Sequence, residues 1–400
     1  MAKLLLLSAL IMGSFGFTIP TERNPNFVPD GRAEYAKALS KWGVDLPHGL
    51  AKYVSTKAQN TDVSAISQDS DREYLSPISV GTPPQTLLMD IDTGSSDFWV
   101  FSSETAAGDL RNHTHYYTPG SSNTAARVPN ATWSITYGDM SYAYGRVWTD
   151  TITVGNISIP NAVVETAVDV SVQMASDWAM SGIFGTAFGL PSRVEPRSQT
   201  VLQSLSPQLD QKVFTADLKW HADGEYEFGT IDKTKYKGSI HWAQLIDNAT
   251  YWKFLFRGYS VQGDELWYGH EWPAIADTGT TMLMLEEDVV KKYYAQVPTA
   301  QYDASYGVWT YPCETNLPDF HLSIDEPQDG VWTVTVPGKY INYTEFDFGN
   351  GNGSSSTCMG GLQGNNDEEF SILGDVFLKA VFAVFDITGA RVGFAEKELS

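Results

Sequence analysis

From Tyr74 onward the apolar residues come in short runs rather than helical repeats. Val, Ile, Thr, Tyr, Phe and Trp cluster in segments such as Thr149–Val154, Val331–Val336 and Ala380–Phe385, split by Gly, Pro, Asn and Asp. That pattern predicts strands closed by turns. Helical stretches are few in this region; Gln199–Leu205 and Glu286–Gln296 are the best. Before residue 58 the period changes. Tyr35, Leu39 and Trp42 recur at helical spacing, with Asp30 before and Gly43 after as cap candidates. Lys37 and Lys41 share one face of that helix. Residues 58–73 are polar, and Asn350–Thr357 reads as a flexible glycine-serine loop.

The first sixteen residues follow another pattern. Lys3 precedes an apolar run from Leu4 to Met12, and Ser14 and Gly16 follow at the spacing of a signal-peptidase site. The run is too short to span a bilayer, so residues 1–16 read as a secretory signal peptide. No later apolar run reaches spanning length, and the tail Glu396–Ser400 is polar, so neither a membrane span nor a lipid anchor is expected.

Composition narrows the picture. An apolar fraction of 42% with 12 Trp and 20 Tyr is enough for a large core. The net charge of −22 disfavours nucleic acid and anionic membrane as partners and suits an acidic milieu. The charge is uneven. Residues 17–57 hold six basic and four acidic residues, on a body that is strongly acidic. This suggests a propeptide held partly by charge. Cys313 and Cys358 are expected to form one disulfide, closing a loop of about 45 residues and adding about 3–4 kcal/mol. Sequons stand at Asn112, Asn130, Asn156, Asn248, Asn342 and Asn352. His113 and His115 lack a carboxylate or cysteine cluster around them, so no metal and no cofactor is expected.

The candidate chemistry lies in a repeat. Asp92-Thr93-Gly94 and Asp277-Thr278-Gly279 each follow apolar residues and each continue with two hydroxyl residues, Ser95-Ser96 and Thr280-Thr281. About 0.1 copies of such a tripeptide are expected by chance in a chain this long. Ile183-Phe184-Gly185 and Ile372-Leu373-Gly374 follow the two aspartates, ending 93 and 97 residues later. An aspartate pair brought together by such a repeat can share one proton and activate water against an amide. Asp90 competes for the first position, lying two residues earlier on the same strand face, but only Asp92 is followed by Thr-Gly. Asp90 therefore reads as a solvent or structural carboxylate.

This ordered set of signals resembles the pepsin family of aspartic proteases, and most closely its secreted fungal branch of aspergillopepsin, penicillopepsin and endothiapepsin type. The resemblance covers roughly residues 72–400. It implies an all-β, bilobal fold with a deep cleft, a propeptide over 17–70, an N-terminal lobe over 71–242 and a C-terminal lobe over 243–400. It implies that Asp92 and Asp277 are catalytic, and that Gly94 and Gly279 keep their carboxylates level. Thr93 and Thr278 would lock the lobes together. Ser95 and Thr280 would hydrogen-bond the outer carboxylate oxygens, with Thr281 beside the substrate. Ser134–Asp139 resembles the flap hairpin, with Tyr137 its tyrosine, Trp99 the hydrogen-bond partner of Tyr137, and Gly138 and Asp139 offering backbone groups to an extended peptide. Asp139 together with Ser141 implies some cleavage after lysine. Met140, Tyr142 and Tyr144 depart from the fungal pattern. Family zymogens are kept inactive by a lysine on the catalytic pair; Lys37, Lys41 and Lys52 are the candidates here.

The implied protein is a monomeric, secreted endopeptidase acting in acid on extended polypeptides with large apolar residues at the cut. It would bind pepstatin-like inhibitors and, before activation, its own propeptide. Two rivals belong to other classes. A non-catalytic binding module of the same fold would have lost an aspartate or distorted the flap. A carboxylate-pair glycosidase has no reason to repeat Asp-Thr-Gly with the apolar-apolar-Gly partners behind.

Overall fold

The computed structural model describes residues 16–23, 30–57, 74–136, 141–246, 250–264, 268–326, 330–346, 357–366 and 368–400. Residues 1–15 of the expected signal peptide, the polar stretch 58–73, residues 137–140 of the expected flap and most of the glycine-serine loop lie outside them. The architecture is all-β and bilobal. One lobe is built on an eight-stranded sheet, and the other on a seven-stranded sheet with a four-stranded sheet beside it. A six-stranded sheet joins strands from both halves of the chain: Val213–Lys219, Ala222–Phe228 and Lys237–Gln244 with Phe382–Asp386 and Arg391–Glu396. The expected lobe boundary between residues 242 and 243 falls inside the strand Lys237–Gln244, so this sheet belongs to both halves of the chain.

The internal repeat is visible in strand register. Gln85–Asp92 runs parallel to Gly182–Gly185, setting Asp92 beside Gly185. Tyr268–Ala276 runs parallel to Ser371–Leu373, setting Ala276 beside Leu373. In each lobe a short strand after the aspartate, Phe98–Val100 or Leu283–Leu285, then returns antiparallel to the apolar-apolar-Gly segment. The glycines of these segments are needed for packing. A Cβ on Gly185 would lie 2.6 Å from the backbone N of Asp97, and one on Gly374 would lie 2.2 Å from the carbonyl of Thr280.

The helices follow their local signals. Gly31–Lys41 begins at Asp30, whose side chain accepts from the Ala33 N–H. The expected Gln199–Leu205 helix starts later, at Val201, because Thr200 and Gln203 form a capping box. Glu287–Ala295 occupies nearly the expected span. Cys313 and Cys358 are bonded, joining the segment after Val308–Pro312 to Thr357–Gly360 in the four-stranded sheet.

The N-terminal segment is not a loose tail. Phe17–Pro20 adds an edge strand to Ala222–Phe228, and Glu22–Arg23 pairs with Tyr74 and Leu75. The helix Gly31–Lys41 buries Tyr35, Ala36, Ala38 and Leu39 in a cluster with Met282, Met284, Met359 and Ile372. Its other apolar partners come from the helix His48–Lys57, through Leu50 and Val54. Among the described residues no helix is long and apolar enough to cross a membrane.

Candidate active site

Asp92 ends the strand Gln85–Asp92, and Asp277 directly follows the strand Tyr268–Ala276, where the chain turns at its own Thr-Gly. Thr93 and Thr278 hold the two turns together. The Thr93 N–H donates to Oγ1 of Thr278 at 3.1 Å, and the Thr278 N–H donates to Oγ1 of Thr93 at 2.9 Å. Each hydroxyl also donates across to the opposite strand, Thr93 to the Ala276 carbonyl at 2.9 Å and Thr278 to the Ile91 carbonyl at 2.5 Å. Four buried bonds related by a pseudo-two-fold axis thus fix the relative position of Asp92 and Asp277.

The carboxyl groups are essentially buried and lie close enough for each to shift the other's titration. The Gly94 N–H donates to Oδ1 of Asp92 at 2.8 Å, and the Gly279 N–H to Oδ1 of Asp277 at 3.1 Å. Side chains at these glycines would collide with the pair. A Cβ on Gly94 would lie 2.5 Å from Oδ1 of Asp277, and one on Gly279 2.2 Å from Oδ1 of Asp92. Oγ1 of Thr280 donates to Oδ2 of Asp277 at 2.6 Å. Ser95 was expected to do the same for Asp92. Its hydroxyl is close enough to help lower the Asp92 pKa, but its buried Oγ makes no hydrogen bond of normal geometry. The two sides are therefore not symmetric in this form.

The asymmetry coincides with an occupant. Lys41, last residue of the helix that begins at Gly31, places Nζ 2.9 Å from Oδ1 of Asp92 and 2.9 Å from Oδ2 of Asp277. Its side chain is 8% exposed, so this is a buried ion pair, in which losing one partner costs far more than in a surface pair because the other charge is left buried. Burial works against the ammonium, but the charges of Asp277 and Asp92 outweigh it and raise its pKa. Burial likewise pushes Asp92 up, but the Lys41 charge, the nearby Ser95 hydroxyl, the Lys41 hydrogen bond and the neighbouring Asp277 carboxyl bring it down to about 2. Asp277 goes the other way. Burial raises it, and with the Asp92 charge outweighs Lys41 and Thr280. One carboxyl is pulled toward ionisation while its neighbour is pushed toward holding a proton.

Trp42, next to Lys41, inserts its ring between Tyr251 and Phe370, with edge-on contacts at 4.9 and 5.2 Å. Further along the helix, the Tyr35 hydroxyl donates to the Gly364 carbonyl at 2.7 Å, and Tyr343 donates to Glu34.

This constellation has relatives. The family model for eukaryotic aspartyl protease matches residues 73–397. Aspergillopepsin-1 of Aspergillus flavus is 41% identical over 367 residues, covering 91% of this chain and 86% of that protein. Penicillopepsin-2 of Penicillium janthinellum is 41% identical over 362 residues, covering 90% and 86%. Endothiapepsin of Cryphonectria parasitica is 39% identical over 399 residues, covering 96% and 91%. The chain belongs to the eukaryotic aspartyl protease family. It is thus an aspartic-type endopeptidase by descent as well as by the pairing of its two motif aspartates.

Other residues of this aspartyl protease fall in less expected places. Of the two readings of Asp90, the structural carboxylate is the one the structure bears out. It is buried between Leu75 and Ile183 of the flanking strands, and burial together with the Asp92 charge pushes it up to about 7. Trp99 lies wholly in the core, stacked on Trp133 and edge-on to Phe101. Ser141 is buried immediately before the strand Tyr142–Val154, and Thr281 is half-buried after Thr280. Tyr137, Gly138, Asp139 and Met140 lie outside the described residues. Tyr142 and Tyr144 stack on each other on the outer side of the hairpin, and the exposed Tyr144 hydroxyl donates to Asp169 at 2.8 Å. The His113 ring packs 4.1 Å from that of Phe101, and burial lowers its pKa. Among the described residues no group of three His, Cys, Asp or Glu is placed to hold a metal. The partners of Trp42 went unread in the sequence. Only the run of two residues after Lys37's helical neighbours, Lys41-Trp42, hinted that a charge and a ring would enter the cleft together.

Proposed function

We propose that this protein is a secreted aspartic endopeptidase made as a zymogen, with Asp92 and Asp277 as its catalytic pair. One carboxylate accepts a proton from a water as its oxygen attacks the scissile carbonyl. The other, protonated, donates to the carbonyl oxygen. The tetrahedral intermediate then collapses as the amide nitrogen takes a proton and the C–N bond breaks. The environment of the pair supports this division, since like charges at hydrogen-bonding range cannot both ionise easily.

The observation that carries the zymogen reading is Lys41 Nζ lying 2.9 Å from a carboxylate oxygen of each aspartate. A cation there neutralises the pair and occupies the position that the attacking water needs. Residues 17–70 are then the propeptide, and Trp42 fills a side-chain pocket next to the scissile position. Its aromatic lining, from Tyr251 and Phe370, supports a preference for large apolar residues flanking the cut. The sequence 1–16 supports secretion, and the exposed Asn112, Asn130, Asn156 and Asn342 are accessible sequons. Asp139 and Ser141 support cleavage after lysine as well. The hairpin Ser134–Asp139 would close over an extended peptide by adding a short strand.

The test is acid digestion of a denatured protein by the purified chain, with and without a pepstatin-like inhibitor. Asp92→Asn and Asp277→Asn should each abolish cleavage. Proteolysis that survives either change, or ignores the inhibitor, ends this reading.

A further inference from the structure

Behind the loop that carries Asp92 lie two acidic side chains that the chemistry above does not use. Asp97 ends that loop, and Glu165 sits in the strand Ile157–Val170; each is 2% exposed. The parallel pairing of Phe98–Val100 with that strand sets Trp99, two residues after Asp97, beside Glu165. Each carboxyl group shifts the other's titration, so the two lie close together. Two ionised carboxylates so close and so deeply buried would repel strongly, so one of them holds a proton.

The hydrogen bonds say which. Oδ1 of Asp97 accepts the backbone N–H of Arg193 at 2.5 Å. Oε2 of Glu165 receives no hydrogen bond from the protein. A buried carboxylate oxygen without a donor is costly, and a proton on Glu165, donated to Asp97, removes that cost. The charges around the pair agree. Burial, then the Asp97 charge, raise Glu165 well above its ordinary value, with only the Phe98 N–H opposing. Burial also raises Asp97, opposed by the Arg193 backbone and charge, while Asp92 adds a small upward push. The adjacent strand presents apolar Val147 opposite Glu165.

The pair clasps the loop that positions Asp92. The Asp97 carbonyl accepts from the Gly185 N–H at 2.8 Å, Ser96 donates to the Pro191 carbonyl at 3.0 Å, and the Thr186 N–H donates to the Asp92 carbonyl at 2.7 Å. Residues 92–97 are thus stitched to residues 185–193, and the Asp97 carboxylate is the charged stitch.

We propose that Glu165 and Asp97 share one proton, and that this second carboxyl pair positions the Asp92 loop in acid and releases it when that proton is lost as pH rises. The direction follows from linkage. Glu165 is raised above its ordinary 4.5, so its contribution is complete below that value and disappears as pH climbs through the raised one.

Glu165→Gln in the full chain tests this, because its amide donates to Asp97 at every pH. Two readouts serve: the fraction of each variant's own acid activity that survives a fixed exposure toward neutral pH, and the pH dependence of thermal unfolding. The surviving fraction should extend to higher pH, and the proton number from the slope of stability against pH should fall by about one. Asp97→Asn keeps an acceptor for Arg193 and gains a donor for Glu165, so it should shift both readouts the same way and decides the matter if Glu165→Gln fails to fold. Profiles of the folded variants that superimpose on wild type overturn the proposal. A merely structural role would appear instead as a loss equal at all pH values.

Discussion

Replacing Lys41 with methionine keeps the length of the side chain and removes only its charge, which isolates the ion pair in the proposed zymogen. At 2.9 Å from an ionised Asp92 the gross attraction is about 6 kcal/mol at an effective dielectric constant near 20. Desolvation of the ammonium offsets part of this. Truncating one partner of a buried pair usually costs about 3–5 kcal/mol, and the lower end applies here because the aspartate pair can take up a proton in compensation. About 3 kcal/mol is a rise of roughly a hundredfold in the fraction of molecules with an open cleft. The pH dependence has a definite sign. Asp92 is depressed to about 2 from 3.8, so its contribution to the closed form is fully present above the ordinary value and is lost as pH falls through about 2. Lys41 is raised, so it stays charged throughout that range. Wild type should therefore open on acidification, and Lys41→Met should open without it. The assay is binding of a pepstatin-like inhibitor to freshly purified full-length chain near neutral pH, before any cleavage. If the variant excludes the inhibitor as well as wild type does, the charge is not what closes the site, and the packing of Tyr35 and Trp42 must carry the inhibition alone.

Three further outcomes follow from the same geometry. Gly279→Ala puts a methyl group 2.2 Å from Oδ1 of Asp92, so it should spread the pair and lower kcat about a hundredfold or more with little change in KM, measured on an acid-activated sample. Asp90, raised to about 7 by burial, favours the fold below its ordinary 3.8 and ceases to as pH rises through about 7. Asp90→Asn should therefore flatten the fall of Tm across that window, and an unchanged slope would show that its burial is not felt. Replacing Cys313 and Cys358 together by serine releases a loop of 45 residues and should cost about 4 kcal/mol in denaturant unfolding, without abolishing cleavage in acid.

Much of this molecule was written locally. The strands from Tyr74 onward announce themselves by composition because a residue's preference for a pleated surface depends on its own branching and its near neighbours. The Asp30 cap and the Tyr35–Leu39 spacing place a helix for the same reason. The doubled Asp-Thr-Gly names the two aspartates because each turn needs its glycine within two residues. What lay beyond reach depends on distances across the fold. Three lysines were candidates to meet the aspartates, and the choice of Lys41 rests on contacts spanning 51 and 236 residues. The burial of Asp90 and of Trp99, the silence of the Ser95 hydroxyl, the cage around Trp42 and the meeting of Asp97 with Glu165 are all of that kind. Sequence by itself determined the elements, the repeat and the chemistry of the two loops, since these arise from neighbours along the chain. Only the tertiary structure decided which charge faces which, because burial and pairing are set by strands that meet in space after hundreds of intervening residues have folded back.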